Sequence, residues 1–229
     1  MLVTPVIISI LLVLVVSAIL VVSGLKKAPG IGVIAAVVII VVTLILRRTG
    51  LGSLGFAPPH NWLTTILLGL GLGVVIQVLS ITLIELLCEK LTGVPHDHSA
   101  LGNLKGNWKG LVQLLLLVWV VVALLEEGIF RGFLMTEIAR ATGVGAGAIS
   151  FSVIFSSVVF GLAHGYQGRS GILSTGLIGA LLALIFVFSG FNLWLAVFTH
   201  GFIDTVGIGL MAVGGDQWLR RKVWPLRGG

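Results

Sequence analysis

Six ionisable side chains stand inside long apolar stretches of the chain: Glu126, Glu127, Arg131, His164, His200 and Asp204. A charge in hydrocarbon costs a few kcal/mol or more, so an ionisable residue at membrane depth marks a functional site by default. Glu127 and Arg131 are four apart, which puts them on one helix face with the acid on the N-terminal side, the better order for such a pair. Arg131 keeps its charge in a protein, and Glu127 is its nearest partner in sequence. Glu126 points about 100° away and has no basic residue three or four positions to either side. It is the free carboxylate of the group, suited to act as a general base. His200 and Asp204 again lie four apart, and His164 follows Phe160 by four at a helix end. A structural ion-pair cluster of Glu126, Glu127 and Arg131 is the competing reading. The two histidines shift the balance, because with them the set holds a water activator, its orienting partner and donors for an oxyanion.

Such residues need helices to hold them. Hydrophobic residues make up 57% and charged residues 10% of 229, and the mean hydropathy is +1.18, so most of the surface meets lipid rather than water. A bilayer core about 30 Å thick takes roughly 20 apolar residues per helix. The chain is therefore expected to be all-α, a polytopic transmembrane bundle of about seven spans: Leu2–Val22, Ile31–Leu46, Trp62–Leu87, Leu111–Arg140, Gly145–His164, Gly171–Ser189 and Phe191–Val213. The first apolar run exceeds the roughly 7–15 residues of a signal-peptide core and reads as a retained span. Three regions follow: N-terminal helices with a polar loop over 1–110, a core over 111–213, and a basic tail over 214–229. Five of the six residues, Glu126, Glu127, His164, His200 and Asp204, are expected to converge in one cavity although three separate spans carry them.

The remaining polar residues read as bystanders. His60, His96, Asp97, His98 and Asp216 fall in connectors or the tail and are expected to be solvated, whereas Glu85, Glu89 and Glu137 lie near span ends and read as interfacial. Cys88, the single cysteine, has no disulfide partner and no metal-ligand companion at short spacing. Gly69, Gly71 and Gly73 read as helix-packing contacts, Gly69 and Gly73 having the spacing of a close approach. The net charge of +6 sits in short clusters between spans, which is a topology signal and not a nucleic-acid surface. With the tail inside, Lys26, Lys27, Lys90, Lys105, Lys109, Arg169, Arg220, Arg221, Lys222 and Arg227 share the cytoplasmic side, and Arg47, Arg48 and Arg140 dissent.

Three short boxes occur in order: Glu126-Glu127-Gly128-Ile129-Phe130-Arg131, Phe160-Gly161-Leu162-Ala163-His164 and His200-Gly201-Phe202-Ile203-Asp204. Together they resemble the signature of the CPBP intramembrane proteases, which include type II CAAX prenyl proteases and bacteriocin-processing or self-immunity proteins. The resemblance covers Leu111 to about Val213. It implies that Glu126 and His164 activate the attacking water, that His200 and Asp204 bind the developing oxyanion, and that Glu127 and Arg131 brace the site. Where family members carry Asn, an amide donates directly, so Asp204 is either protonated or instead holds His200 in its charged form. Glu126 with the two histidines would also make a plausible zinc set, yet no His-Glu-x-x-His box is present and the expectation is a site without cofactor.

A serine mechanism through Ser170 and His200 is the nearest enzymatic rival and leaves Glu126 and His164 without a task. Outside enzymes, a proton-relaying transporter would be expected to show internal repeats, and none is found. A catalytically silent scaffold that retains the motif residues is the main alternative. The expected function is an endopeptidase of the cell membrane that acts on a peptide or protein substrate, prenylated or membrane-embedded, with lipid as its other partner and no nucleic acid.

Overall fold

A computed structural model describes residues 3–102, 104–143 and 145–224 of the chain. Leu2, which opens the first expected span, and Arg227 of the tail lie outside them. Seven long helices carry the described chain: α1 (Val3–Leu25), α2 (Pro29–Arg47), α3 (Trp62–Thr92), α4 (Trp108–Thr142), α5 (Ala146–Ala163), α6 (Gly168–Phe188) and α7 (Leu193–Val213), followed by a short α8 (Gly215–Val223). All seven are long and apolar enough to cross a membrane, and no strand occurs among the described residues. Their outer faces present side chains such as Leu46, Ile31 and Phe188, a coat suited to lipid.

Local chemistry sets the ends. The side chains of Asn61, Asn107 and Asn192 each accept a backbone N–H in the first turn of α3, α4 and α7, the N-cap role that amide side chains favour. Gly93 and Gly214 end α3 and α7 in the left-handed conformation. α2 starts two residues before the expected Ile31, because Pro29 occupies the first turn, where its missing N–H costs nothing. α3 runs past Leu87 to Thr92, and α4 extends beyond both expected ends. At 1.5 Å per residue α4 is about 50 Å long, more than a bilayer core requires. Both helices contain π-helical turns, at Ser80–Ile84 in α3 and at Val118–Ala123 and Gly128–Met135 in α4.

Small residues bring the helices together. A Cβ at Gly69 would lie 2.6 Å from the Cβ of Phe198, and one at Gly73 would lie 2.6 Å from that of Phe202, so α3 and α7 meet backbone to backbone. Gly71 is different: it faces away from that contact, with nothing within 4 Å of such a Cβ. α5 crosses α6 at Gly161, and α1 crosses α5 where a Cβ on Gly24 would fall 1.9 Å from the carbonyl oxygen of Ala163. The first helix is thereby seated against the residue before His164. Apolar side chains of α1, α4 and α5, including Leu20, Phe130, Phe133 and Phe160, fill one core at this junction.

Two acidic residues near span ends turn inward to the protein. Glu137 is fully buried near the end of α4, where Arg47 reaches across from the end of α2 and makes two hydrogen bonds to it, at 2.5 and 3.0 Å, while Arg140 joins from the next turn. Arg47, one of the dissenting charges in the topology count, is thus matched within the bundle. Glu85 is also buried, at 4% exposure, because the connector after α3 and α8 both fold over it.

Candidate active site

α4, α5 and α7 supply the six residues. Glu126 and Glu127 precede the π-helical turn Gly128–Met135 that contains Arg131, and such bulges frequently occur at functional sites. Glu127 and Arg131 still share a face: Arg131 Nη1 donates to Glu127 Oε1 at 2.7 Å. Both side chains have zero exposure. Arg131 Nη2 donates to the carbonyl of Gly179 in α6 at 2.8 Å, and the guanidinium lies 4.5 Å from the centre of the Phe160 ring. A cation over an aromatic face gains from the ring quadrupole, which helps hold a charge sealed from water.

The same carboxylate oxygen of Glu127 takes a second partner that sequence spacing does not suggest. His200 Nδ1 lies 2.7 Å from Glu127 Oε1. Asp204, the i+4 neighbour, stands 3.6 Å from His200 Nε2, too far for a hydrogen bond. Glu127 therefore orients His200, and Asp204 remains about a quarter exposed, at 26%.

Glu126 is held differently. Its Oε2 is buried and has no hydrogen-bond partner, and His164 Nε2 faces it at 3.8 Å. His164 caps the C-terminal end of α5, and its Nδ1 lies 2.8 Å from the carbonyl oxygen of Phe160. A carbonyl only accepts, so Nδ1 carries the proton and Nε2 is the nitrogen turned towards Glu126. Between them lies a cavity of about 20 Å³ whose walls include Glu126, His164, Phe130, Ala163, Leu20 and Ser23. That is room for one water. Of the six residues only Glu126 and His164 line it. Glu127 and Arg131 are sealed behind it, with His200 bonded to Glu127 and Asp204 beside His200, so the expected convergence takes the form of a water-sized chamber next to a charge network.

Among the described residues, Glu126, His164 and His200 do not bring their ligand atoms into metal-binding proximity, because Glu127 draws His200 to itself. Ser170, the rival nucleophile, is fully buried and its Oγ has no hydrogen-bond partner.

A second polar cluster escaped the sequence reading. His96 and His98 are half-buried and partnered rather than merely solvated: their rings stack at 4.3 Å, His98 Nε2 lies 3.6 Å from Glu85 Oε2, and Ser174 Oγ lies 3.2 Å from His96 Nδ1. Arg220 of α8 donates to Glu85 Oε2 at 2.5 Å and to Glu89 at 3.1 Å. Burial works against the charge on Arg220, but Glu85 and Glu89 outweigh it and raise its pKa. The His-x-His spacing was the available signal, and nothing in the sequence tied it to Glu85.

Residues 108–206 match the family model Rce1-like, type II CAAX prenyl endopeptidase Rce1-like. The match spans less than half of the chain, contains all three boxes and supports the CPBP resemblance read from them. No curated protein and no solved structure matches the chain.

Proposed function

We propose, on the premise that residues 108–206 are similar to a CAAX-type endopeptidase, that this chain is an intramembrane endopeptidase in which Glu126 activates water. The observation that carries the reading is the water-sized chamber bounded by an unpartnered carboxylate oxygen and the Nε2 of His164. A carboxylate and a neutral imidazole nitrogen are both acceptors. A water seated off the line between them, about 2.8 Å from each, donates one proton to either side and leaves its lone pairs directed at the substrate. Attack on a peptide carbonyl transfers a proton to Glu126, which then returns it to the departing amine. The tetrahedral oxyanion is received by His200 and Asp204, the proton-donating forms of which supply N–H and O–H. Glu127 fixes the ring of His200, and Arg131 balances the charge of Glu127. No cofactor enters the scheme.

An apolar groove of about 430 Å³ runs between α1 and α2 along Ala18, Ile19, Val22, Ile31 and Gly32, with Lys26 and Ser23 in its wall. Ser23 also lines the chamber. An apolar groove that shares this wall residue with the chamber supports a substrate delivered from lipid, as a membrane-embedded segment or a prenylated tail. The test is recovery of cleaved peptides from membranes that contain the intact protein, with the Glu126→Gln protein as control. Products that vanish with Glu126→Gln support the reading. Identical peptide profiles with both proteins sink it and favour a scaffold that keeps the motif without using it.

A further inference from the structure

We propose that Glu85, His96 and His98 form a binding site for a divalent transition-metal ion of the zinc type, joining the end of α3 to the connector that follows it. One ligand atom from each of the three lies within 4.8 Å of the other two. A tetrahedral zinc with bonds of about 2.0–2.1 Å sets its ligands roughly 3.4 Å apart, and His98 Nε2 already stands 3.6 Å from Glu85 Oε2. The imidazoles are stacked 4.3 Å apart and within 4° of parallel, so one ring has to turn about its χ2 bond before both nitrogen lone pairs can meet a common ion. Two imidazoles and one carboxylate are the donor types that zinc-like ions select.

The supporting contacts are also in place. Ser80 Oγ donates to Glu85 Oε1 at 3.0 Å inside the bundle, and Ser174 Oγ bonds His96 Nδ1. Outer partners of this kind orient metal ligands, and their loss typically costs about 10–100-fold in affinity. Arg220 is the competitor, because its guanidinium occupies Glu85 Oε2. It also holds both oxygens of Glu89, at 3.1 and 3.3 Å, so a metal ion that takes Glu85 leaves Arg220 a partner. The connector is tied to the active-site end of the bundle, since Asp97 N–H donates at 3.1 Å to the carbonyl of Gln167, three residues beyond His164. Metal at this site stiffens that rim. The inference stands apart from the peptidase reading.

The experiment is a titration of the full chain in nanodiscs with zinc chloride against a chromophoric chelator, after prior chelator washing. Saturable binding is expected in the parent protein. It should weaken by more than about tenfold in the His96→Ala/His98→Ala protein, a ligand loss exceeding an outer-partner loss. Binding should tighten in Arg220→Gln, where the competitor is gone, and persist in His164→Ala, which removes a residue of the other histidine pair. A rise in melting temperature with zinc, present in the parent and absent in the double variant, separates ligand loss from misfolding. Absence of saturable binding in the parent overturns the proposal, as does binding that survives His96→Ala/His98→Ala and disappears with His164→Ala.

Discussion

Glu127 and Glu137 lie ten positions apart on α4, both with zero side-chain exposure and both bonded to arginine. Their surroundings differ in where the positive charge ends. The arginines on Glu137 keep 25% and 37% of their side chains exposed, so each buries its stem and holds part of its head at the surface. Arg131, on Glu127, is fully enclosed over Phe160 and shares its carboxylate oxygen with His200. One centre clamps α2 to α4. The other spends a costly burial on holding a histidine in place, and the neighbouring Glu126 is left with an oxygen that nothing satisfies. A buried ion pair is by itself weak evidence of function. A sealed one that orients a titratable ring next to a vacant acceptor says considerably more.

The sharpest way to break this contrast is Glu126→Gln. Turnover is expected to fall by about two to four orders of magnitude, the contribution of a general base, with an unchanged melting temperature because no hydrogen bond is lost. Next comes Glu127→Gln, which leaves Arg131 enclosed without its counter-charge. Breaking a buried pair costs about 3–5 kcal/mol, read as reduced folded yield and earlier thermal unfolding, and equal behaviour of Glu126→Gln and Glu127→Gln would erase the distinction between the two acids. Glu137→Gln should cost less, about 1.5–3 kcal/mol for hydrogen bonds to a charged group, because its arginines can turn to water. Activity per folded molecule should stay at the parental level, and a loss comparable to that of Glu127→Gln would make the two centres equivalent. The smallest effect is expected from Asp204→Asn. In the proposed mechanism Asp204 is a donor to the oxyanion, and an amide retains a donor there, so activity should remain within about tenfold of the parent, less than a lost oxyanion donor costs. Inactivity of a correctly folded Asp204→Asn protein, measured by a pH–rate profile, would return the histidine-partner role to Asp204.

The legible parts of this site were those that a single helix determines. Spacing along α4 was enough to pair Glu127 with Arg131 and to leave Glu126 free, since residues four apart share a face. The seven spans followed from run length alone. Spacing placed Asp204 beside His200, where it stands at 3.6 Å, but was silent about a carboxylate on α4 that sits closer, at 2.7 Å. That contact depends on how α4 crosses α7, where Gly201 lies against the ring of Trp119, and no periodicity within either helix encodes it. The same reason hid Glu137 and Glu85, whose partners Arg47 and Arg220 are separated from them by 90 and 135 positions. His96 and His98 looked solvated because a connector's path over a bundle depends on what it can bond to, here Ser174 and the turn at Gln167.

The contact between Gly24 and Ala163 also has a meaning in time. Chains are made from the N-terminus onward, so α1 enters the membrane long before α5 exists to receive it. Until then Ala163 is not there to close on Gly24, and Glu126 enters a chamber walled by α1 and α2 but lacking Ala163 and His164. Synthesis of Ala163 and His164 ends both waits together, since the residue that seats α1 directly precedes the one that faces Glu126. The centre proposed to activate water therefore stays incomplete through most of the chain's own synthesis.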